Sequence, residues 1–294
     1  MGKALSKFSA RIFPLVALAM SIYHLWQVMI PKMDPTLHQD VHLAFALSLV
    51  FLSAMNVKES DMLGHKTTNE ADLDIMIEHA KAVRAGTPSA FIMGDMPFLT
   101  YQISDEEAIR NAGLYIREAG MDCVKIEGGM EIVHTVEALT KAGIPVIAHT
   151  GLTPQKALQM GGYKTQGRDM LAAVELIKEV AAFEKAGAIA VVIEAIPSEV
   201  AKIIYERSSI PILGTGCGPY SDSPMINFYD MLGYYDRNPK FVKKYADVHK
   251  VAVDAVSQFV QECHDGTYPG PEHCYKMKAG EEEKLKELLK EQGL

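Results

Sequence analysis

Blocks with helical periodicity alternate with short apolar runs along the chain from position 69 onward. In the first block, which covers 69–86, Leu73, Met76 and Val83 recur at helical spacing, and Gly86 follows them as a C-capping glycine does. Further blocks of this kind cover 104–120, 130–143 and 170–187. The pattern therefore predicts a helix in each of these blocks.

The apolar runs between the helices have the length and composition of buried strands. Their sequences are AFIMGD, DCVKIEG, IPVIAHTG, AIAVVIEA and IPILGTG. Runs that are rich in β-branched residues and apolar on both faces belong to a parallel sheet covered by helices. We expect five strands between Ala90 and Thr215, with MINFYDML as a candidate sixth. An eight-stranded barrel would need two more strands before Asn69.

Ionisable residues fall at the carboxyl ends of four of these runs. They are Asp95 on the first run, Lys125 and Glu127 on the second, His149 on the third and Glu194 on the fourth. A doubly wound open sheet is the competing architecture, but no G-x-G-x-x-G motif opens a helix to support a dinucleotide site. In a (β/α)8 TIM barrel the carboxyl ends of successive strands converge on one mouth. We therefore predict an α/β fold of the TIM-barrel class with these five residues at one site.

The N-terminal part of the chain has a different composition, with two long uncharged runs. The run between Arg11 and Lys32 has no charged side chain apart from His24, and a bilayer span needs about 20 such residues. A second uncharged run covers 41–57, so residues 12–57 are compatible with a helical hairpin or a membrane segment. Buried helices or strands of the same domain explain both runs equally well. Residues 1–55 also weakly resemble the start of a TRAP-transporter fused permease.

Composition narrows the class of partner. The chain has 29 basic and 37 acidic residues, a net charge of -8 and no long basic run, so nucleic acid is not an expected partner. The four cysteines include no C-x-x-C pair, which predicts reduced thiols in the cytoplasm rather than a disulfide framework or a zinc site. A small molecule is the expected ligand.

The five strand-end residues suggest a chemistry, although each alone has a structural explanation such as a turn cap or a buried histidine. Asp95 and Glu127 are hard oxygen donors of the kind that suits magnesium (Mg2+). Lys125 and Glu127 are two residues apart on one strand, so their side chains share a face and both point inward. A metal and a lysine would bind a 2-oxo acid and stabilise its enolate, while Glu194 would remove the adjacent proton.

Seven segments of the chain resemble segments of the ketopantoate hydroxymethyltransferase family, and the resemblance covers roughly 70% of the chain. In family order they are GDMPFLTY, VKIEGG, HTGLTPQ with GGYKTQGR, VVIEAIPSE, GTGCGPYSD and YPGPEH. The resemblance implies a TIM barrel of the phosphoenolpyruvate/pyruvate-binding type and a transferase of pantothenate biosynthesis. Such an enzyme moves a hydroxymethyl group from 5,10-methylenetetrahydrofolate to 3-methyl-2-oxobutanoate through a magnesium-stabilised enolate, giving 2-dehydropantoate. It also implies a cytoplasmic homo-oligomer.

The resemblance implies a role for each site residue. Asp95 and Glu127 would hold the metal, with Asp95, Lys125 and His149 binding the substrate. Glu194 would be the catalytic base. No residue is assigned to the folate co-substrate. The expected organisation is an atypical N-terminal segment at 1–58, a barrel at 59–275 and a charged C-terminal helix at 276–294.

The chain departs from the family pattern at its start. The family's Thr-Ala-Tyr-Asp and Gly-Asp-Ser-Leu-Gly runs, which supply a metal aspartate and a substrate serine, are absent. The first two barrel units are therefore expected to be atypical or missing, which weakens metal and substrate binding. Two alternatives follow from this: an impaired or non-catalytic barrel joined to a membrane segment, and a related 2-oxo-acid carbon-carbon lyase.

Overall fold

Helices and strands alternate through β5 in the order that the sequence predicts. The computed structural model describes residues 67–235 and 238–294. The described strands are β1 (Met93–Asp95), β2 (Cys123–Glu127), β3 (Val146–Gly151), β4 (Ala190–Glu194), β5 (Ile212–Thr215) and β6 (Ser223–Pro224). The described α-helices are α1 (Leu73–Gly86), α2 (Asp105–Arg117), α3 (Val133–Lys141), α4 (Met170–Lys185), α5 (Ser198–Arg207), α6 (Phe228–Met231), α7 (Val248–Asp265) and α8 (Glu281–Glu291). Strands β1 to β5 each lie within one predicted run.

All six described strands are parallel and pair in chain order, β1 to β6. A doubly wound sheet reverses its strand order at a switch point. The described strands show no such reversal, and each strand pairs with the next one along the chain. Consecutive units of a (β/α)8 barrel have this strand order. The predicted parallel α/β barrel fold is therefore confirmed, and the doubly wound sheet is excluded.

Side chains alternate between the two faces of the sheet. The outer face packs against the helices in a large apolar core, to which the strands contribute Val124, Ile126, Ala148, Val191 and Ile193. The inner face carries a smaller, separate apolar cluster. Its members are Met93, Cys123, Ile147, Ala190, Val192 and Leu213. A sheet buried on both faces is expected where the sheet curls around its own inner face.

The start of α1 and the sixth strand both differ from the prediction. Helix α1 begins at Leu73 rather than at position 69, because the Asp72 side chain accepts hydrogen bonds from the backbone N–H groups of Asp74 (2.8 Å) and Ile75 (3.3 Å) and caps the helix there. The candidate sixth strand MINFYDML is wrong, since α6 occupies its centre. The sixth strand is instead Ser223–Pro224, immediately before that run.

The C-terminal helices lie on the surface. Neither α7 nor α8 has a buried residue, and α7 exposes apolar side chains that include Val251, Val256 and Phe259. Within 67–235 and 238–294, no helix combines the length and apolar character that crossing a bilayer requires. The expectations for residues 1–58, including the two uncharged runs at 12–57, lie outside the described residues, as do any strands before position 67.

Candidate active site

The inner face of the sheet brings all five predicted site residues together. Lys125 Nζ lies 2.9 Å from Asp95 Oδ2 and 3.6 Å from Glu127 Oε2. His149 Nδ1 lies 3.3 Å from Glu127 Oε2, and its Nε2 lies 3.4 Å from Glu194 Oε2. The five side chains therefore form one continuous chain of charged and polar contacts across β1 to β4.

Strand register explains this convergence. Asp95 pairs with Lys125, Glu127 pairs with His149, and Gly151 pairs with Glu194. Because residues two apart on a strand share a face, Lys125 and Glu127 both point to the inner face, where each meets the neighbouring strand's polar residue. The sequence pattern of ionisable residues at strand ends thus becomes a single cluster.

The cluster is buried except at one end. Asp95, Lys125, Glu127 and His149 are all buried, whereas the Glu194 side chain keeps 19% of its surface exposed. Buried charges are stable only when they are paired. The pairing of carboxylates with Lys125 and His149 provides this, and Glu194 is the member that an incoming ligand reaches most readily.

Burial and the neighbouring charges shift the pKa values of these groups in opposite directions. Burial raises the pKa of Asp95, and Lys125 opposes this only in part. Burial lowers the pKa of Lys125, but Asp95 and Glu127 outweigh it, so that pKa ends above its ordinary value. Burial raises the pKa of Glu127, but His149 and Lys125 together hold it below its ordinary value. Burial and Lys125 lower the pKa of His149, but the contacts with Glu127 and Glu194 outweigh them, so that pKa ends above its ordinary value. Of the two carboxyl groups that contact Lys125, Asp95 is therefore the one whose charge is less well stabilised.

A second set of buried residues holds Glu127 in place. The backbone N–H of Gln155 donates to Glu127 Oε1 at 2.6 Å, and the backbone N–H of Glu127 donates to the Tyr101 hydroxyl at 3.1 Å. The Tyr101 hydroxyl lies 2.7 Å from Gln155 Oε1, and Gln155 Nε2 donates to the Met96 carbonyl at 2.9 Å. Sequence reasoning missed Tyr101 and Gln155 as supporting residues, although each ends a segment that carries the family resemblance.

The backbone immediately after Glu194 is in an uncommon conformation. Ala195 has a φ of 47° and is buried, and few residues other than glycine adopt this region. Its N–H donates to the Thr215 carbonyl at 2.8 Å, and its carbonyl accepts from the Gln166 N–H at 2.9 Å. Such conformations cluster at functional sites, where the surrounding structure holds them. Here the two hydrogen bonds of Ala195 hold the backbone that directly follows Glu194.

The cluster fits a magnesium ion through Asp95. Asp95 Oδ1 is buried and accepts no hydrogen bond from the described residues, so a carboxylate oxygen remains for a cation. Both oxygens of Glu127 already have contacts, which suits contact with a metal through water. Among the described residues no group of three or more His, Cys, Asp or Glu side chains could hold a metal. Magnesium needs few protein carboxylates because it keeps several waters.

Two comparisons of the sequence with known proteins indicate the same family. A family profile described as ketopantoate hydroxymethyltransferase matches residues 53–271. A 3-methyl-2-oxobutanoate hydroxymethyltransferase of Syntrophomonas wolfei is 44% identical over 218 residues, which is 74% of this chain and 79% of that protein. One from Enterococcus faecalis is 45% identical over 224 residues, covering 76% and 82% of the two chains. A solved phosphonopyruvate hydrolase in complex with oxalate and Mg2+ is 16% identical, with a TM-score of 0.47 over 89% of this chain and 88% of its own.

Proposed function

The chain belongs to the ketopantoate hydroxymethyltransferase family, and from this premise we propose that it transfers a hydroxymethyl group from 5,10-methylenetetrahydrofolate to 3-methyl-2-oxobutanoate. The product is 2-dehydropantoate, a precursor of pantothenate and coenzyme A. The observation that carries the proposal is the continuous inner-face chain from Asp95 through Lys125, Glu127 and His149 to Glu194. In this proposal Lys125 is the cation that binds the oxo acid, Asp95 and Glu127 hold the metal, and Glu194 is the base.

The reaction requires the loss of one proton and the formation of one carbon-carbon bond. The C3–H bond of the oxo acid breaks and C3 bonds to the methylene carbon, whose two bonds to N5 and N10 of the folate break. Water supplies the oxygen of the new hydroxyl group, and tetrahydrofolate leaves with one proton from C3 and one from water on its two nitrogens. Glu194 takes the C3 proton, because it is the carboxylate of the cluster that is most accessible to a ligand. His149 Nε2, 3.4 Å from Glu194, holds that carboxylate toward the substrate.

Lys125 binds the oxygens of the oxo acid. Its ammonium group is buried at the centre of the cluster and is kept charged by Asp95 and Glu127. A charged lysine in a site that excludes water stabilises the negative charge that develops on the keto oxygen when C3 loses its proton. Tyr101 and Gln155 keep Glu127, and through it Lys125, in position.

Asp95 and Glu127 would hold magnesium, which would supply a positive charge beside the oxygens of the oxo acid. The proposal includes a cytoplasmic setting and a homo-oligomeric assembly. All four cysteines are free, as a reducing compartment requires.

Formation of labelled product tests the proposal. The purified chain is incubated with 3-methyl-2-oxobutanoate, magnesium and 13C-labelled 5,10-methylenetetrahydrofolate, and 2-dehydropantoate is measured by NMR. We expect product with the native sequence and a rate reduced by at least about 100-fold in Asp95→Asn. Asp74→Asn, at an exposed position of α1, is the matched control and retains the native rate. A folded native protein that forms no product contradicts the proposal.

A further inference from the structure

The connection from β6 to α7 contains a basic segment, residues 238–245, with the sequence NPKFVKKY. Its three lysines are Lys240, Lys243 and Lys244, and it has no acidic residue. The whole chain carries a net charge of -8, so this segment is positive in an acidic protein. All three lysines are exposed, and none of them belongs to the inner-face cluster.

The segment lies at the carboxyl-end face of the sheet. Loops that follow the strands of a (β/α)8 barrel gather at this face, where the active site also lies. The Phe241 ring packs on Gly216, directly after β5, where a Cβ atom would lie 2.6 Å from Phe241 Cδ1. Thr215, the last residue of β5, pairs in register with Glu194. The segment therefore lies beside the strand next to the one that carries Glu194.

Hydrogen bonds to α6 hold the segment at both ends. Asn238 Nδ2 donates to the Asp230 carbonyl at 3.2 Å, and the backbone N–H of Tyr245 donates to the Met231 carbonyl at 2.8 Å. Both acceptors belong to the short helix that follows β6. The backbone of the segment is thus fixed to the barrel, while its lysine side chains stay exposed.

The contacts of the lysines do not neutralise their charges. Lys244 Nζ donates to the Tyr235 carbonyl at 2.7 Å, and Lys243 Nζ lies 4.8 Å from the centre of the Tyr245 ring. Among residues 67–235 and 238–294, no carboxylate forms an ion pair with any of the three lysines. Asp247, the acidic residue that follows the segment, caps α7. The segment therefore favours an anionic ligand.

Aromatic side chains alternate with the lysines along the segment. Phe241 and Tyr245 keep 42% and 68% of their surface exposed, although both are large and partly apolar. An exposed aromatic ring offers a face on which a second ring can pack. A ligand that combines an aromatic ring with several carboxylates therefore matches the segment in both charge and apolar surface.

We propose that residues 238–245 bind the p-aminobenzoyl-polyglutamate tail of the folate co-substrate, with glutamate carboxylates at Lys240 and Lys243. The inference rests on the proposed function, because it locates one part of the co-substrate of that reaction. The glutamates lie at the far end of folate from the pteridine ring, so the tail needs no contact with the inner-face cluster. Each further γ-linked glutamate adds one negative charge, so the segment favours donors with longer tails.

Calorimetric binding of 5-formyltetrahydrofolate, a stable reduced folate, tests the inference with the monoglutamate and triglutamate forms. Both forms share the pteridine and benzoyl rings, so the difference between them reports the added carboxylates alone. We expect the native protein to bind the triglutamate at least about fivefold more tightly, and this preference to shrink as the salt concentration rises. In Lys240→Gln/Lys243→Gln the preference should fall below about twofold, whereas Lys240→Arg/Lys243→Arg should retain it.

The matched control is Lys141→Gln/Lys185→Gln, which removes the same charge from exposed lysines at the ends of α3 and α4. The carboxyl ends of barrel helices lie at the face opposite the active site, because the helices run antiparallel to the strands. This control should keep the native preference. Lys244 is left unchanged, since its hydrogen bond to the Tyr235 carbonyl helps to hold the segment.

Three results would overturn the inference: equal affinity of the native protein for the two forms, no binding of either form, or an undiminished preference in Lys240→Gln/Lys243→Gln. Binding is measured without the oxo acid, so it does not depend on turnover. Product formation without a tail-length preference therefore rejects only the tail site. A preference that the glutamine substitutions abolish, without product formation, supports the tail site and contradicts the proposed function.

Discussion

Replacement of Lys125 by methionine tests how the buried cluster is held together. The substitution keeps much of the side-chain volume but leaves Asp95 and Glu127 without the cation that lies 2.9 and 3.6 Å from their oxygens. At an effective dielectric constant of about 20, attractions at these distances are about 6 and about 5 kcal/mol. The lysine's own desolvation offsets part of this loss. We expect Lys125→Met to lower the free energy of unfolding by about 3–5 kcal/mol, the usual effect of breaking a buried ion pair.

Urea unfolding followed by circular dichroism measures the change. Lys141→Met is the matched control, because Lys141 forms an exposed ion pair with Glu137 and its loss should cost less than about 1 kcal/mol. Asp95→Asn in the Lys125→Met background removes the carboxylate that has lost its lysine partner. We expect the double variant to recover at least about 1.5 kcal/mol relative to additive effects. Equal losses in Lys125→Met and Lys141→Met, or strict additivity, would refute this account of the cluster.

The same variant has a defined pH dependence. Burial already holds the pKa of Asp95 above its ordinary value, and loss of Lys125 raises it further. Between the ordinary pKa of an aspartate and the raised pKa of Asp95, the folded state of Lys125→Met keeps a proton that the unfolded state has lost. The free energy of unfolding of this variant therefore falls as the pH rises through that interval. Lowering the pH from about 7 to about 5 should therefore narrow the stability gap between Lys125→Met and the native sequence. If this difference in the free energy of unfolding widens on acidification, the unpaired Asp95 carboxylate is not the cause of the destabilisation.

Three further predictions concern packing, capping and thiol access. Gly94→Ala places a methyl group 2.3 Å from Tyr115 Cδ1 and should lower the free energy of unfolding by about 1–3 kcal/mol in urea; an unchanged midpoint contradicts this. Asp72→Ala removes the cap of α1 and should cost about 1 kcal/mol, whereas Asp72→Asn should retain most of it; equal losses would show that the cap is unimportant. A thiol reagent at about pH 8 should label two cysteines in the folded protein and four after unfolding. The buried pair is Cys123 and Cys217, where burial raises the pKa of Cys217 to about 11; fast labelling of all four contradicts the structure.

Much of the fold could be predicted because its strands are continuous β-branched runs between periodic helices. The sixth strand could not, since Ser223–Pro224 is too short and too polar to give a strand pattern. The run after it is apolar enough for a strand, yet its centre at Phe228–Met231 forms a helical turn. Short apolar runs do not distinguish the two structures without their tertiary contacts.

The positions of the candidate site residues were predictable for a related reason. Parallel strands bring their carboxyl ends to one edge, so Asp95, Lys125, Glu127, His149 and Glu194 could be expected to converge, and the structure brings them together. Their catalytic roles stay predictions. Supporting residues such as Tyr101 and Gln155 were not predictable, because their hydrogen bonds join loops far apart in sequence.

Exchange of the C3 proton of 3-methyl-2-oxobutanoate with D2O tests most directly whether the inner-face cluster is a catalytic site. The reaction is followed by proton NMR with magnesium and without folate, so it reports proton removal alone. We expect exchange well above the buffer rate with the native sequence, and a loss of at least about 100-fold in Glu194→Gln but not in Glu199→Gln, an exposed glutamate at the start of α5. Exchange no faster than buffer in the folded native protein, or undiminished exchange in Glu194→Gln, would contradict the central claim.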